Sequence, residues 1–160
     1  MSAGAARSFT YRYPRPSVTV DALVFRFREA LEVLLITRGG SPEKGKHALP
    51  GGFVDPNEDL GVAAKRELEE ETSVKGLECA QVGAFGTPFR DPRGHTITVA
   101  YLCVVPAGVE VKEKAADDAA TARWYDCASL PPLAFDHDII MHKALSQLHL
   151  ALSSPTPALL

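Results

Sequence analysis

Regular alternation begins at Ser17. The run Ser17 to Phe27, Ser-Val-Thr-Val-Asp-Ala-Leu-Val-Phe-Arg-Phe, is rich in β-branched and aromatic residues and predicts a strand. Leu31 to Arg38 predicts its hairpin partner, across a polar turn at Arg28, Glu29 and Ala30. Residues 39–46, Gly-Gly-Ser-Pro-Glu-Lys-Gly-Lys, form a breaker-rich loop with cations at Lys44 and Lys46, and His47 to Phe53 is a short extended piece feeding a helix. Leu77 to Phe85 and His95 to Val105 predict two further strands around the polar loop Gly86 to Gly94, and Ala122 to Tyr125 predicts a short last one. Residues 136–151 predict a closing helix packed through Ile139, Ile140, Leu145, Leu148 and Leu150. One domain at 17–152 is expected, between a flexible N-terminus at 1–16 and a loose tail at 153–160. No internal repeat is present, and no linker points to a second domain.

The strongest helical period lies at 60–72, with Asn57 or Asp59 near its N-cap, since either side chain can accept from orphan backbone N–H groups. At about 100° per residue, Ala63, Glu67, Glu70 and Glu71 share one face. Leu60, Ala64 and Leu68 form an apolar ridge beside it, while Lys65 and Glu69 fall on the solvent side. Three carboxylates therefore border a buried stripe. Like charges one helical turn apart repel, and partial burial adds a desolvation penalty. A hard divalent cation removes that cost, because Mg²⁺ favours carboxylate oxygens and keeps waters and phosphate oxygens as its other ligands. A solvated acidic helix end is the plain alternative for an isolated Glu-Glu-Glu run.

Composition narrows the class. At 160 residues with 46% hydrophobic and 23% charged, the chain has ordinary globular composition and enough length to bury a core. A net charge of −3 and a pI near 5.9 give no electrostatic reason to expect nucleic-acid binding. A polyanionic substrate would have to be drawn in by local Arg, Lys and metal charge. Cys79, Cys103 and Cys127 are widely spaced and odd in number, and are expected to be buried reduced thiols in a cytoplasmic protein. No apolar run reaches the ~18 residues of a membrane span. Arg7, Arg12 and Arg15 precede the first acid, Asp21, a weak likeness to an organelle-targeting segment; a flexible start is the expectation.

The spacing of Gly52, Glu58, Arg66-Glu67-Leu68, Glu70-Glu71 and Val74 resembles the signature of the Nudix hydrolases, G-x5-E-x7-R-E-U-x-E-E-x-G-U, where U is bulky and apolar. Ser73 departs from it, standing where that family has a glycine suited to a left-handed backbone after the helix. The resemblance implies an α/β/α sandwich with a mixed β-sheet between helices, where the order of elements alone supports only a mixed α/β domain. It implies that Glu67, Glu70 and Glu71 bind Mg²⁺, or Mn²⁺ in its place, with help from the backbone carbonyl of Gly51 or Gly52. Arg66 would orient these acids through its planar fork, with Glu58 in support, and Glu67, Arg66 and Glu70 would form the catalytic set, Glu67 taking the proton. Asp117 or Asp118 stands where some members contribute a loop acid, although an Asp-Asp turn is as good an account.

The implied chemistry is attack of water on a phosphorus of a nucleoside diphosphate linked to another group. Arg90 and Arg93, in Phe89-Arg-Asp-Pro-Arg-Gly-His95, are placed either to fork onto phosphate or ribose oxygens or to form a solvated hairpin tip. Together with the run Leu133-Ala-Phe-Asp-His-Asp138, they resemble the ADP-ribose pyrophosphatase branch, whose products are AMP and ribose 5-phosphate. Phe135 is either a substrate contact or core. His137 and His142, near a helix start, are expected to be solvated or capping. His47, where many relatives carry Trp, lines the site or replaces a packing group. Two alternatives stay open: hydrolysis of nucleoside triphosphates, including oxidised ones, and a silent ligand sensor, as close relatives serve in transcriptional regulators. The intact acids and the lack of a DNA-binding extension after residue 152 weigh against a sensor. The expected partner is a small nucleotide, with no nucleic acid and no membrane, and a homodimer is in keeping with the family.

Overall fold

A computed structural model describes residues 9–109 and 121–153. Strands β1 (Ser17–Phe27), β2 (Leu31–Thr37), β3 (His47–Ala48) and β4 (Gly51–Phe53) precede helix α1 (Leu60–Thr72). Strands β5 (Cys79–Phe85), β6 (Thr96–Val104) and β7 (Thr121–Asp126) then lead to helix α2 (His137–Ser153). Every element follows the sequence pattern, with ends shifted by a residue or two. Among the described residues, no helix is long and apolar enough to cross a membrane.

The sheet is mixed. Strand β1 runs parallel to the whole of β6, from Ser17 opposite Thr96 to Phe25 opposite Val104, and the remaining strand pairs are antiparallel. On its other edge β1 pairs with β2 only through Phe25, Arg26 and Phe27, and with β4 through Thr19, Val20 and Asp21. Strand β2 likewise pairs with β3 at Ile36 and Thr37, while β7 runs along it from Glu32 to Thr37. So β1 and β2 part company after three residue pairs, and the short strands β3 and β4 sit in the fork. The functional residues gather there.

Alternation along β1 assigns its two faces. Leu23 and Phe25 join Leu35, Ala100, Leu102, Ile140, Met141, Ala144 and Leu148 in the core beneath α2. Ala22 and Val24 join Leu34, Leu68, Val74 and Cys103 on the other face, and Val20 packs with Ala63, Ala64 and Val99 beneath α1. Two helices thus cover opposite faces of one sheet, an α/β/α sandwich.

Helix α1 starts at Asp59, whose carboxylate accepts from the N–H groups of Gly61 (2.9 Å) and Val62 (3.2 Å). Ser73 ends it with φ 62° and ψ 9°, donating its N–H to the Glu69 carbonyl at 2.8 Å. The left-handed cap for which glycine is suited is kept by a serine.

Three expectations are corrected. Cys79 and Cys103 form a disulfide rather than standing as free thiols. They face each other across the β5–β6 ladder with Cα atoms 4.3 Å apart, a juxtaposition created by strand pairing that spacing alone does not reveal. Cys127 is a free thiol that burial pushes up to about 11. Ile139 and Leu150 lie on the exposed side of α2, because its buried stripe runs through His137, Ile140, Met141, Ala144 and Leu148. His137 is accordingly buried, not solvated.

Gly51 lies directly against β1: a Cβ there would stand 2.1 Å from the Val20 carbonyl oxygen and 2.8 Å from a carboxylate oxygen of Asp21. Gly51→Ala is therefore expected to lower the unfolding free energy by about 3 kcal/mol, seen as a reduced midpoint in urea with unchanged slope.

Candidate active site

Four acids and one arginine assemble at the outer edge of α1. Arg66 grips Glu58 with two hydrogen bonds, Nε to Oε1 at 2.7 Å and Nη2 to Oε2 at 2.8 Å. Its Nη1 reaches Glu67 at 2.7 Å and Glu70 at 3.2 Å, and its Nη2 also donates to the Phe53 carbonyl at 3.1 Å. The guanidinium is held more firmly protonated than usual, chiefly by Glu58 and then Glu67. Glu58 in turn is pulled down to about 2 by Arg66 and by the Asp55 N–H. Arg66 thus fastens α1 to the strand and connector that precede it, and fixes one oxygen of Glu67.

Glu67 and Glu71 are the half-buried members of the acid set. Burial raises the Glu67 carboxyl above its ordinary range, with Arg66 opposing. Burial also pushes Glu71 up to about 7; the Gly51 N–H, at 2.9 Å from its Oε2, opposes this, and the charges of Glu67 and Asp21 add to it. Glu70 is different, with its side chain 59% exposed. The backbone at Gly52 comes so close to Glu67 that a Cβ would lie 2.5 Å from the carboxylate. Only glycine permits that approach.

These residues fit a hard divalent cation by their chemistry. Glu67 and Glu71 each stand against the Gly51 and Gly52 backbone, and these two half-buried acids are destabilised in their charged form without a cation. Among the described residues no three acidic, His or Cys side chains are already gathered as a cage. Glu67 and Glu70 turn oxygens to Arg66, and Glu71 turns one to the Gly51 N–H. Glu67, Glu70, Glu71 and the Gly52 carbonyl would hold the ion.

A cleft in the fork of the sheet begins at Gly51 and Gly52 and continues past Asp21, Arg38, Arg93, Phe135 and His137. Arg93 and Phe135 come together here as the sequence suggests. The Arg93 guanidinium lies 5.0 Å from the Phe53 ring centre and 5.6 Å from that of Phe135, while two of its nitrogens hold Asp91. Arg90 also borders the cleft, but its side chain is 5% exposed and forked onto Asp136 at 2.9 and 2.5 Å. Its role in this structure is to anchor the turn before α2. Asp91, within a loop expected to be polar and outside the core, is buried. His47 packs on Tyr125, with ring centres 5.0 Å apart, and its Nδ1 lies 3.4 Å from both Thr37 and Tyr125 oxygens. Asp117 and Asp118 lie outside the described residues.

Two cleft groups escape the sequence reading. Arg38 follows β2, lies 4.7 Å from the Phe135 ring centre on its guanidinium carbon, and donates Nε to the Pro42 carbonyl at 3.0 Å. Burial, and then repulsion from Arg93, make it less comfortable as a cation than a free arginine. Asp21 and His137 form the second group, and burial pushes the imidazole down. A charged residue inside the apolar run Val20-Asp21-Ala22 was a legible signal; its partner on α2 was not.

Residues 15–147 match the model of the NUDIX domain. The chain belongs to the Nudix family. With the acids and arginine of the box present and the fold shared, it is a Nudix hydrolase. It is 40% identical over 129 residues to an ADP-ribose pyrophosphatase of Methanocaldococcus jannaschii, covering 81% of this chain and 73% of that one. It is 34% identical over 142 residues to the ADPR responsive transcriptional repressor NtrR of Acinetobacter baylyi, covering 86% of this chain but only 56% of the repressor. Among solved structures, the NUDIX domain of Shewanella oneidensis NrtR complexed with ADP ribose superposes with a TM-score of 0.76 at 31% identity, over 85% of this chain and 90% of that one. A MutT/nudix family protein from Enterococcus faecalis gives a TM-score of 0.81 at 32% identity, over 91% of this chain and 66% of that one.

The Glu71 carboxyl, pushed up to about 7, would set the pH dependence of ion binding. A raised carboxylate favours the protonated form, so the metal-free fold loses Glu71's contribution to stability as pH rises from about 4.5 to 7. A bound cation needs the carboxylate, so Mn²⁺ affinity is expected to rise by up to about tenfold per pH unit below 7 and to level off above it. Calorimetric titrations in buffers of different ionisation enthalpy should count close to one proton released near pH 6.

Proposed function

We propose that this Nudix hydrolase cleaves the pyrophosphate bond of ADP-ribose, with Mg²⁺ or Mn²⁺, to give AMP and ribose 5-phosphate. The observation that carries this is that the half-buried acids Glu67 and Glu71 stand against the Gly51 and Gly52 backbone, where a cleft begins that is lined by the cations Arg38 and Arg93 beside the Phe135 ring. A pyrophosphate flanked by sugars and a base needs all three kinds of surface. Support comes from the pyrophosphatase relative and from the likeness to a domain complexed with ADP ribose.

The ion, when bound, would neutralise charge on phosphate oxygens and acidify water. Glu67, basic through burial and oriented by Arg66, takes the proton of the water whose oxygen attacks phosphorus as the bridging P–O bond breaks. Arg38 holds a phosphate oxygen through the guanidinium nitrogens not engaged by Pro42. Arg93 stands beside Phe135, and that ring packs against a sugar or base of the substrate.

A second function is a sensor that binds ADP-ribose without turnover, favoured by the repressor relative and the NrtR domain. The retained Glu67, Glu70, Glu71 and Arg66 network speaks for catalysis, since a sensor has no need of it.

A panel assay with Mg²⁺ should decide between them, comparing ADP-ribose, NADH, 8-oxo-dGTP, ATP and a diadenosine polyphosphate, each repeated with EDTA. ADP-ribose is expected to show a kcat/KM at least about tenfold above the others, lost with EDTA and yielding AMP. A triphosphate preference refutes the assignment, and binding without turnover makes the protein a sensor. Glu70→Gln is expected to lower kcat by at least ~10²-fold with little change in melting temperature, since that side chain is largely exposed. Arg38→Gln should raise KM for ADP-ribose about tenfold or more, and lower kcat less, in steady-state kinetics.

A further inference from the structure

We propose that His137 is a positioning residue: it ties the ion-facing turn at Gly51 and Gly52 to the substrate-facing turn at Phe135, so that both halves of one substrate are held in register. The inference rests on the pyrophosphatase function proposed above.

The connector between β3 and β4 passes through Leu49, which is buried, and its N–H donates to His137 Nδ1 at 3.0 Å. A nitrogen that accepts carries no proton, so the imidazole is neutral with its hydrogen on Nε2. That nitrogen faces Asp21 Oδ1 at 3.7 Å, and Asp21 Oδ2 accepts the Thr98 hydroxyl at 2.6 Å. Strand β6 is thereby bonded to β1 and the connector to helix α2, and the two pairs meet where the imidazole faces Asp21.

What lies on either side of His137 gives the joint its meaning. Just beyond Leu49, the Pro50 carbonyl accepts from the Ala22 N–H at 2.8 Å, and the Gly51 N–H donates to Glu71. Just before His137, the Ala134 N–H donates to the His47 carbonyl at 2.7 Å, and Asp136 is locked by Arg90. Phe135 is strung between these anchors with φ 54°, a left-handed conformation that bulky side chains rarely adopt, and its ring is offered to Arg38 and Arg93. His137 therefore closes a short path from the ring to the Glu71 carboxylate.

Simple support for α2 would be met more cheaply by an apolar residue beside Ile140 and Met141, since a buried imidazole and a buried carboxyl both lose hydration. An apolar residue would leave the Leu49 N–H unsatisfied and the ion-facing turn untethered. A slip of a fraction of an ångström between the two turns falls on kcat, because it is alignment that is lost.

Asparagine and glutamine at this position separate alignment from bulk and from proton transfer. His137→Asn sets its carboxamide oxygen near the place of Nδ1 and keeps the acceptor for Leu49, whereas His137→Gln sets it nearer Nε2. The expected result is that His137→Asn keeps kcat for ADP-ribose within about threefold, while His137→Gln lowers it by about tenfold or more with KM changed by less than about threefold. Mn²⁺ titrated calorimetrically without substrate should bind His137→Gln more weakly than His137→Asn, both being folded by melting temperature. Equal kcat values near wild type would make the histidine merely structural. Equal losses in both, with one limb of the pH–rate profile abolished, would make the imidazole itself a proton carrier; either result overturns the proposal. If the wild type turns over no pyrophosphate, the proposed function fails, and the Mn²⁺ titrations still judge the tether: unequal affinities keep it and equal affinities overturn it.

Discussion

The closeness of the backbone at Gly51 and Gly52 to its neighbours on both sides is the constraint on which the site depends. On one side lies β1, whose Val20 carbonyl and Asp21 carboxylate leave no space for a side chain, and on the other lies the Glu67 carboxylate. Because no Cβ intervenes, α1 comes near enough to the strand for Gly51 to donate to Glu71 and for Arg66 to reach the Phe53 carbonyl. Partial burial of two carboxylates follows from that approach. So does the rise of both above the usual range, an electrostatic need that a divalent cation would meet.

The fork in the sheet supplies the other half. Parallel pairing with β6 holds β1 straight while β2 leaves it, and the gap is filled by two strands of three residues or fewer. Short strands end in connectors, and connectors carry the groups that face the cleft: Leu49 on one, Arg38 at the mouth of another, Phe135 on a third. Rigid pairing on one edge and irregular backbone on the other is how a site is built from loops without becoming loose.

Much of this was legible from residue order. The period of 3.6 through 60–72 placed Glu67, Glu70 and Glu71 beside a buried stripe, and the β-branched runs marked the long strands. Partnerships made only by tertiary contact were not legible. Arg90 meets Asp136 and Cys79 meets Cys103 because strands and turns bring them together, and nothing local in either segment announces it. On α2, Ile139 is expected inward but faces out, because the buried stripe starts at His137, expected to be solvated or capping, and continues through Ile140, Met141, Ala144 and Leu148. Asp21 had a signal in its parity with Leu23 and Phe25, which turns it toward α2, yet parity does not say which side chain waits there.

Arg66 has one further consequence. Its fork already neutralises Glu58, touches Glu67 and leans on Glu70, so the acid cluster carries a counterion of its own making. An ion arriving at Glu67 competes with a guanidinium already in contact. A weakly attracted monovalent ion would gain less from that exchange than a small doubly charged one. The arginine would then act as a threshold, sorting ions by charge density before any ligand geometry is tested.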